Sequence, residues 1–372
     1  MESHHSEPPS SGSNHFKFFK GSLGLSETPT IPPIMALAMI VPALSMVSHA
    51  ETWATFKATY RKTYTFEEEA SRFDIFMANL RIIEAENRAQ GAEVKGITKF
   101  ADLTVEEFKA RYLMNTPRNK TEGLKPWDGK CTACVRFPEQ ATLLAAPPTD
   151  YDWTEHGAVT PVKDQGQCGS CWSFGTTGDV EGVLFLAKHN LTSLSEQQLV
   201  SCDEKDLGCD GGLQEDAFKY VKKNGLVTEQ QYPYTSGKGK SGRCEEALIK
   251  NPVAFVSDWV QISCLGSCEK KAAFDEEGMI NALIATGPIT IGIDASPMQL
   301  YKRGIDNPKN CKTSQAGLDH AVLIVGYGVE NGTPYWKIKN SWNTDWGEDG
   351  YYRIVRGLNK CGVASDAVHS VA

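Results

Sequence analysis

Residues 165–174 read QGQCGSCWSF. Two cysteines stand three apart, the second followed at once by tryptophan and the start of an apolar helical stretch. Such a pair fits three chemistries: a redox dithiol, half of a metal site, or one bridged sulfur beside one reactive thiolate. The choice rests on what the rest of the chain supplies for Cys171.

The chain has 372 residues, 41% of them hydrophobic, enough for two to three domains with real cores. Its 38 basic and 46 acidic residues leave a net charge of −8. With no basic run or aromatic-basic stripe, nucleic acid is not expected as a partner. Lys17 and Lys20 precede an apolar run at 34–47, broken by Pro42 and followed by Ser48-His49-Ala50. This predicts a secretory signal cleaved near Ala50, with translation from Met35 as an alternative start. The run is shorter than the roughly 18 apolar residues a membrane span needs, so the mature form is expected off the membrane. Eleven cysteines, an odd number, imply bridges plus one unpaired thiol in a secreted chain.

After the tail and signal (1–50), residues 51–114 are rich in charge and helix formers, with Phe73, Phe76, Leu80 and Ile83 at helical spacing. A small helical unit is predicted there. Residues 115–148 carry Pro, Gly, Lys and Thr together with Cys131 and Cys134, and read as a mobile, cleavable connection. The block 149–372 divides into a mostly helical half (149–255) and a mostly β half (256–372). In the first, 171–187 predicts a buried helix, and Ser195 caps another with Gln198 at its third position. In the second, 289–293, 321–325, 335–339 and 351–355 are short β-rich runs. Two unlike halves sharing a groove make an α+β arrangement, and pockets favour such junctions.

A thiol near pKa 8.5 is inert at neutrality unless a helix N-terminus or an imidazolium lowers it. Cys171 stands where a helix should start. Of eight histidines, His4, His5 and His15 lie in the tail, His49 at the cleavage site, and His156, His189 and His369 in polar or terminal contexts. His320 alone opens a buried strand. Asn340, on the next predicted strand, can hold the imidazole in one tautomer by bonding its second nitrogen. Trp342 and Trp346 would shield that bond. Gln165 can offer a side-chain N–H, beside the Cys171 backbone N–H, to an oxyanion.

With these residues in place the chain resembles the papain family of cysteine proteases, of the cathepsin L type, as a full-length proenzyme. C-G-S-C-W matches the family signature, and His320 and Asn340 stand about 150 and 170 residues after Cys171, against the family's usual range of about 130 to 150. An insertion around 261–278, carrying Cys264 and Cys268, accounts for part of the excess. Glu68, Arg72, Phe76, Asn79, Ile83 and Asn87 match the interrupted helical pattern of such prosegments. Gly96, Phe100 and Asp102 match the motif that follows, with Thr98 where Asn is often found. Gly208-Cys209-Asp210-Gly211-Gly212 is similar to the glycine wall that pairs with substrate backbone. At Asn340-Ser341-Trp342-Asn343 the usual fourth-position Gly is replaced by Asn, which tolerates left-handed backbone.

The resemblance implies a papain-like two-domain fold, a helical left domain and a β-barrel-like right domain with the cleft between, preceded by a helical inhibitory prosegment. It implies a catalytic Cys171, His320, Asn340 and Gln165, and neither metal nor cofactor. Substrate would meet Gly211, Gly212, Leu213, Gly292, Leu318, Asp319, Trp342 and Asp366. Asp366 falls at the floor of the pocket for the second residue before the cut, predicting hydrophobic and basic preference there. The family's bridges would pair Cys168 with Cys209, Cys202 with Cys244, and Cys311 with Cys361. Pairing Cys131 with Cys134 and Cys264 with Cys268 would leave Cys171 as the eleventh; a linker-to-insertion crossing is the alternative. Expected partners are protein and peptide substrates, the chain's own propeptide as inhibitor, and cystatin-like inhibitors, for a monomer in a lysosome, vacuole or extracellular space. Sequons at Asn119, Asn190 and Asn331 fit that route. Redox exchange through Cys168 and Cys171 would leave His320 and Asn340 without a role, a zinc site lacks a second ligand pair at finger spacing, and a non-catalytic relative would be expected to have lost its nucleophile.

Overall fold

The computed structural model describes residues 49–114, 126, 128–130, 139–263 and 274–372. Residues 1–48 of the predicted leader, Asn119, and Cys131, Cys134, Cys264 and Cys268 with their alternative pairings lie outside the described residues. Of Met1–Glu51 only 49–51 are described, and they are helical; Thr52–Ala372 pack as one unit.

The N-terminal unit is helical because its local signals agree. Helix α1 (52–60) turns into α2 (Phe66–Gln90), where Thr65 accepts from the Glu68 N–H and Glu68 reaches back to Thr65. Trp53 and Phe56 of α1 pack their rings 5.1 and 4.9 Å from Phe76 of α2. The asparagines in the interrupted pattern serve backbone. Asn79 Nδ2 donates to the Ala101 and Leu103 carbonyls at 2.8 and 2.9 Å, and Asn87 Oδ1 accepts from the N–H groups of Val94 and Lys95. Arg72 forks onto Glu107 at 2.6 and 2.7 Å, tying α2 to α3 (Val105–Tyr112).

The connection is not wholly irregular, contrary to the sequence reading. Residues 139–145 form α4 (Glu139–Ala145), whose Leu143 and Leu144 pack on the β-side core while Gln140 donates to the Tyr151 hydroxyl at 2.7 Å. Burial of two leucines stabilises a helix that the surrounding Pro and Gly conceal in sequence.

In the remaining chain, α5 (Cys171–Lys188) is buried along most of its length, with α6 (Glu196–Cys202) and α7 (Gln214–Asn224) against it. The β side is one eight-stranded sheet: β1 (Tyr151–Asp152), β2 (Asp258–Ser263), β3 (Ile289–Ile293), β4 (Ile305–Asp306), β5 (His320–Glu330), β6 (Thr333–Lys339), β7 (Tyr351–Val355) and β8 (Ala367–Val371). Its order is β2-β8-β3-β5-β6-β7-β4, with β1 added to β5, so among the described strands it does not close. Helix α8 (Glu276–Thr286) packs on β2 and β5, and α5 on β5, β3 and β8. The halves interleave: Tyr151 and Trp153 belong to the β-side core, and Val368 of β8 to the helical one.

Candidate active site

Cys171 is the first residue of α5, where backbone N–H groups favour an anionic sulfur. It is buried, bridged to no other cysteine, and its Sγ accepts from the Ala321 N–H at 3.3 Å. That contact sets the thiol beside β5, whose first residue is His320. The His320 Nε2 meets Asn340 Oδ1 at 2.8 Å, and the Ser341 N–H donates to the same oxygen at 2.8 Å. Asn340 therefore presents oxygen, so in the neutral ring Nε2 carries the proton and Nδ1 is the basic nitrogen. Trp342 stacks on the imidazole at 4.7 Å, with Trp346 edge-on behind it at 4.9 Å. Both indoles are buried, keeping water from the His320–Asn340 bond.

Gln165 is held by Ser341, whose hydroxyl donates to its Oε1 at 2.6 Å. Its Nε2 donates to the Cys168 carbonyl at 2.8 Å and to the Tyr112 carbonyl at 2.9 Å. The second acceptor belongs to the end of α3. The N-terminal unit thus lays backbone across the site: the Met114 N–H donates to the Asp319 carbonyl at 2.8 Å, Lys109 pairs with the Asp319 carboxylate at 3.3 Å, and Phe100 and Phe108 pack edge-on against Trp342. Gly96 lies where an added Cβ would come within 2.9 Å of Lys302 Cβ, which explains a glycine at the head of its motif.

Among the described residues the three expected family bridges form. Bridges join Cys168 to Cys209, Cys202 to Cys244 and Cys311 to Cys361. The first ties the Cys171 turn to the glycine loop, and Trp172 Nε1 donates to the Gly208 carbonyl at 3.0 Å. A Cβ on Gly212 would strike Trp172 and Asp206 at 2.6 and 2.7 Å. Gly292 donates its N–H to the Asp366 carbonyl at 2.8 Å, so these two share a wall; Leu318 and Asp366 are buried. Asn343 has φ 59°, the left-handed backbone expected for it.

His369, read as terminal and polar, is instead buried, its Nδ1 2.9 Å from Asp179 of α5. Strand β8 carries the chain end beneath α5, which charge and position in sequence do not reveal. Sequence reasoning also missed a buried cluster behind α5. Lys163 pairs with Glu181 at 3.0 Å and Glu196 at 2.6 Å, while Lys339 donates to Thr160, itself bonded to Glu181. Burial pushes the Lys339 ammonium down to about 8; burial opposes charge on Glu181 too, but Lys163 and Lys339 outweigh it and hold that carboxyl low. Glu229, half-buried and facing Glu196, is pushed up to about 7 by its burial first and the Glu196 charge second. No sequence spacing signals these pairings, because they join four separate elements.

Comparison with known proteins agrees with this geometry. Residues 147–371 match the model for the papain family of cysteine proteases, and 53–108 that for the cathepsin propeptide inhibitor domain. The chain is 42% identical over 336 residues to cysteine proteinase 15A of Pisum sativum, covering 84% of each, and 41% identical to cathepsin F of Mus musculus over 87% of this chain and 65% of that one. Digestive procathepsin L 3 from the Tenebrio molitor larval midgut superposes with a TM-score of 0.71 at 35% identity, over 87% of this chain and 99% of the other. The protein is a thiol protease carrying its own propeptide as inhibitor. The chain belongs to the papain family of cysteine proteases and is the zymogen form.

Proposed function

We propose that Cys171, His320, Asn340 and Gln165 carry out the hydrolysis. The Cys171 thiolate, paired with imidazolium His320, attacks the scissile carbonyl, and Gln165 Nε2 with the Cys171 N–H holds the resulting oxyanion. His320 gives its proton to the leaving amine. Water, deprotonated by His320, then cleaves the thioester and restores the thiol. Asn340 keeps the imidazole in the tautomer that exchanges with sulfur. The observation carrying this reading is the Tyr112 carbonyl on Gln165 Nε2 at 2.9 Å, a peptide carbonyl held by the donor assigned to the oxyanion. In the processed enzyme, Gln165→Ala should lower kcat about 10²-fold while a thiol-alkylating epoxide still titrates Cys171. An unchanged kcat rejects the oxyanion role.

The pocket walled by Leu213, Gly292 and Leu318, with Asp366 at its floor, is assigned to the second residue before the cut and to both apolar and basic side chains there. Asp366→Ala should reduce cleavage after X-Arg-Arg far more than after X-Phe-Arg; equal losses refute the assignment. Three bridges fit an oxidising compartment, and among the described residues no helix is long and apolar enough to cross a membrane. We assign the mature enzyme to a lysosome, vacuole or the extracellular space, as a monomer inhibited by cystatin-like proteins. N-terminal sequencing after acid processing, gel filtration and a cystatin titration test these points; a stable dimer or cystatin indifference would overturn them.

A further inference from the structure

Beneath the glycine loop lie two acids that the catalytic reading does not use. Asp203 ends α6, its Oδ1 accepting the Lys205 N–H at 3.0 Å. Asp206 Oδ1 accepts the Leu213 N–H at 2.8 Å. The Asp203 charge bears directly on Asp206. Their remaining oxygens, Asp203 Oδ2 and Asp206 Oδ2, are buried and receive no N–H or O–H from any other described group. Two neighbouring carboxyls with buried, unpartnered oxygens are costly to charge together, which favours one proton held by the pair.

The loop above depends on this pair. Leu207 N–H donates to the Gly211 carbonyl at 2.9 Å, closing the loop, and Asp206 fixes its far end through Leu213. The Asp206 carboxyl also fills the space beside Gly212 that a Cβ would need. We propose that Asp203 and Asp206, sharing one proton, are positioning residues that hold the Gly211–Leu213 edge at the height where substrate backbone pairs with it, and that losing this proton weakens substrate binding. The inference rests on the reading of Gly211 to Leu213 as that edge.

The surroundings reinforce the shared proton. Asp216 of α7 adds negative charge facing both acids, and its countercharge, Lys219 at 2.6 Å, points to Asp216 rather than to the pair. Tyr220 of α7 faces Asp203 as a neutral phenol. Lys205 contributes its backbone N–H. From α5 the neighbour is the uncharged Trp172, against which Gly212 lies. Burial and then the Asp203 charge push the Asp206 carboxyl up to about 9. A carboxyl raised in the folded state stabilises below its ordinary range and loses that contribution as pH rises through its folded value.

The test uses the processed enzyme, its thiol titrated with epoxide so that rates refer to folded sites. Wild type should show KM rising at least about fivefold from pH 6 to 9.5, with kcat changing less. In Asp206→Asn the amide oxygen still takes the Leu213 N–H and the amide N–H replaces the shared proton, so KM should stay level over that span. Asp206→Ala should raise KM severalfold at every pH. If Asp206→Asn and wild type share one KM profile, or Asp206→Ala leaves KM unchanged, the proposal fails. A substrate methylated at the amide nitrogen that would pair with the edge separates the two readings. If methylation costs wild type nothing, the edge reading falls and the proposal with it; if it costs affinity while the profiles coincide, only the proposal falls.

Discussion

The prosegment and the helical half of the peptidase place their carboxyl groups in opposite situations. In the prosegment, acids face cations. Glu107 is drawn down to about 2 by the Arg72 fork, and Glu69 is lowered by hydrogen bonds from Lys57 and Trp53. Across the boundary, four ion pairs among the described residues, Lys95–Asp306, Lys99–Asp345, Lys109–Asp319 and Arg303–Glu93, hold prosegment to peptidase. In the helical half two acids face other acids: Glu229 against Glu196, which itself pairs with Lys163, and Asp206 against Asp203, with Glu229 and Asp206 raised by burial first and by the neighbouring charge second. The same fall in pH therefore acts in opposite directions. It removes charge from Asp319, which burial holds above the usual aspartate range and which pairs with Lys109 of the prosegment, and it supplies protons to the raised carboxyls Glu229 and Asp206.

The largest effect should come from the clamp's buried pair. Lys95 Nζ meets Asp306 at 2.6 Å with both side chains almost wholly buried, and Gln90 and Tyr352 donate to the same carboxylate. Removing one member of a buried pair leaves an unpaired charge and costs about 3–5 kcal/mol. In a Cys171→Ala zymogen, which cannot process itself, Lys95→Ala should raise the opening constant of the Gly96 and Met114 amides by about a hundredfold or more in hydrogen exchange. Protection unchanged at both amides would mean that the clamp is held elsewhere.

Maturation itself sharpens the contrast. The Arg72–Glu107 brace, lowered to about 2, contributes above the ordinary carboxylate range and fades only as pH drops toward 2. It survives at pH 4.5, so the prosegment should leave as a folded piece rather than by melting. Purified proenzyme should mature faster at pH 4.5 than at pH 7.5, and Arg72→Ala should hasten processing at pH 7.5 as well. Equal wild-type rates at the two pH values would remove acid as the trigger.

How far this contrast was legible in sequence differs between its two sides. Cys171, His320, Asn340 and Gln165 stand in short linear motifs, where a turn, a helix start or a strand end fixes each position, so the pattern survives without coordinates. Strands β3, β5, β6 and β7 and helix α5 were readable from short β-rich or apolar runs for the same local reason, whereas β1, β2, β4 and β8 were not. Glu196 and Glu229 lie on different elements and meet only once α6 docks, and each alone reads as a solvated surface acid. His369 was misread by the same logic, since burial of a chain end depends on β8 pairing with β2 and β3. Helix α4 was hidden because packing on the β side, not intrinsic propensity, stabilises its seven residues.

The acid pair Glu196–Glu229 should produce an intermediate effect. A glutamate raised to about 7 stabilises fully below its ordinary range and loses that contribution as pH rises from about 4.5 through 7. With the group partly exposed, solvent screening reduces the difference to on the order of 1–2 kcal/mol. The epoxide-inhibited mature enzyme should melt several degrees higher at pH 5 than at pH 8, and Glu229→Gln should narrow that gap. A Tm that increases toward pH 8 in wild type would show the helical half to be no better suited to acid than the clamp.

The smallest effect argued belongs to a partly exposed contact of the clamp. Lys109 pairs with Asp319 at 3.3 Å while about a third of its side chain remains in water, so the pair is worth about 0.2–1 kcal/mol. Burial, partly offset by the Ala295 N–H and Lys109, holds the Asp319 carboxyl above the usual aspartate range, so it gains a proton at milder acidity than an ordinary aspartate does. Lys109→Ala in the Cys171→Ala zymogen should loosen the Met114 amide by no more than about fivefold at pH 7.5. The difference should shrink at pH 4.5, where the partner charge is already being lost. A penalty that grows on acidification would contradict this, because it would require Lys109 to hold the prosegment through something other than the Asp319 charge.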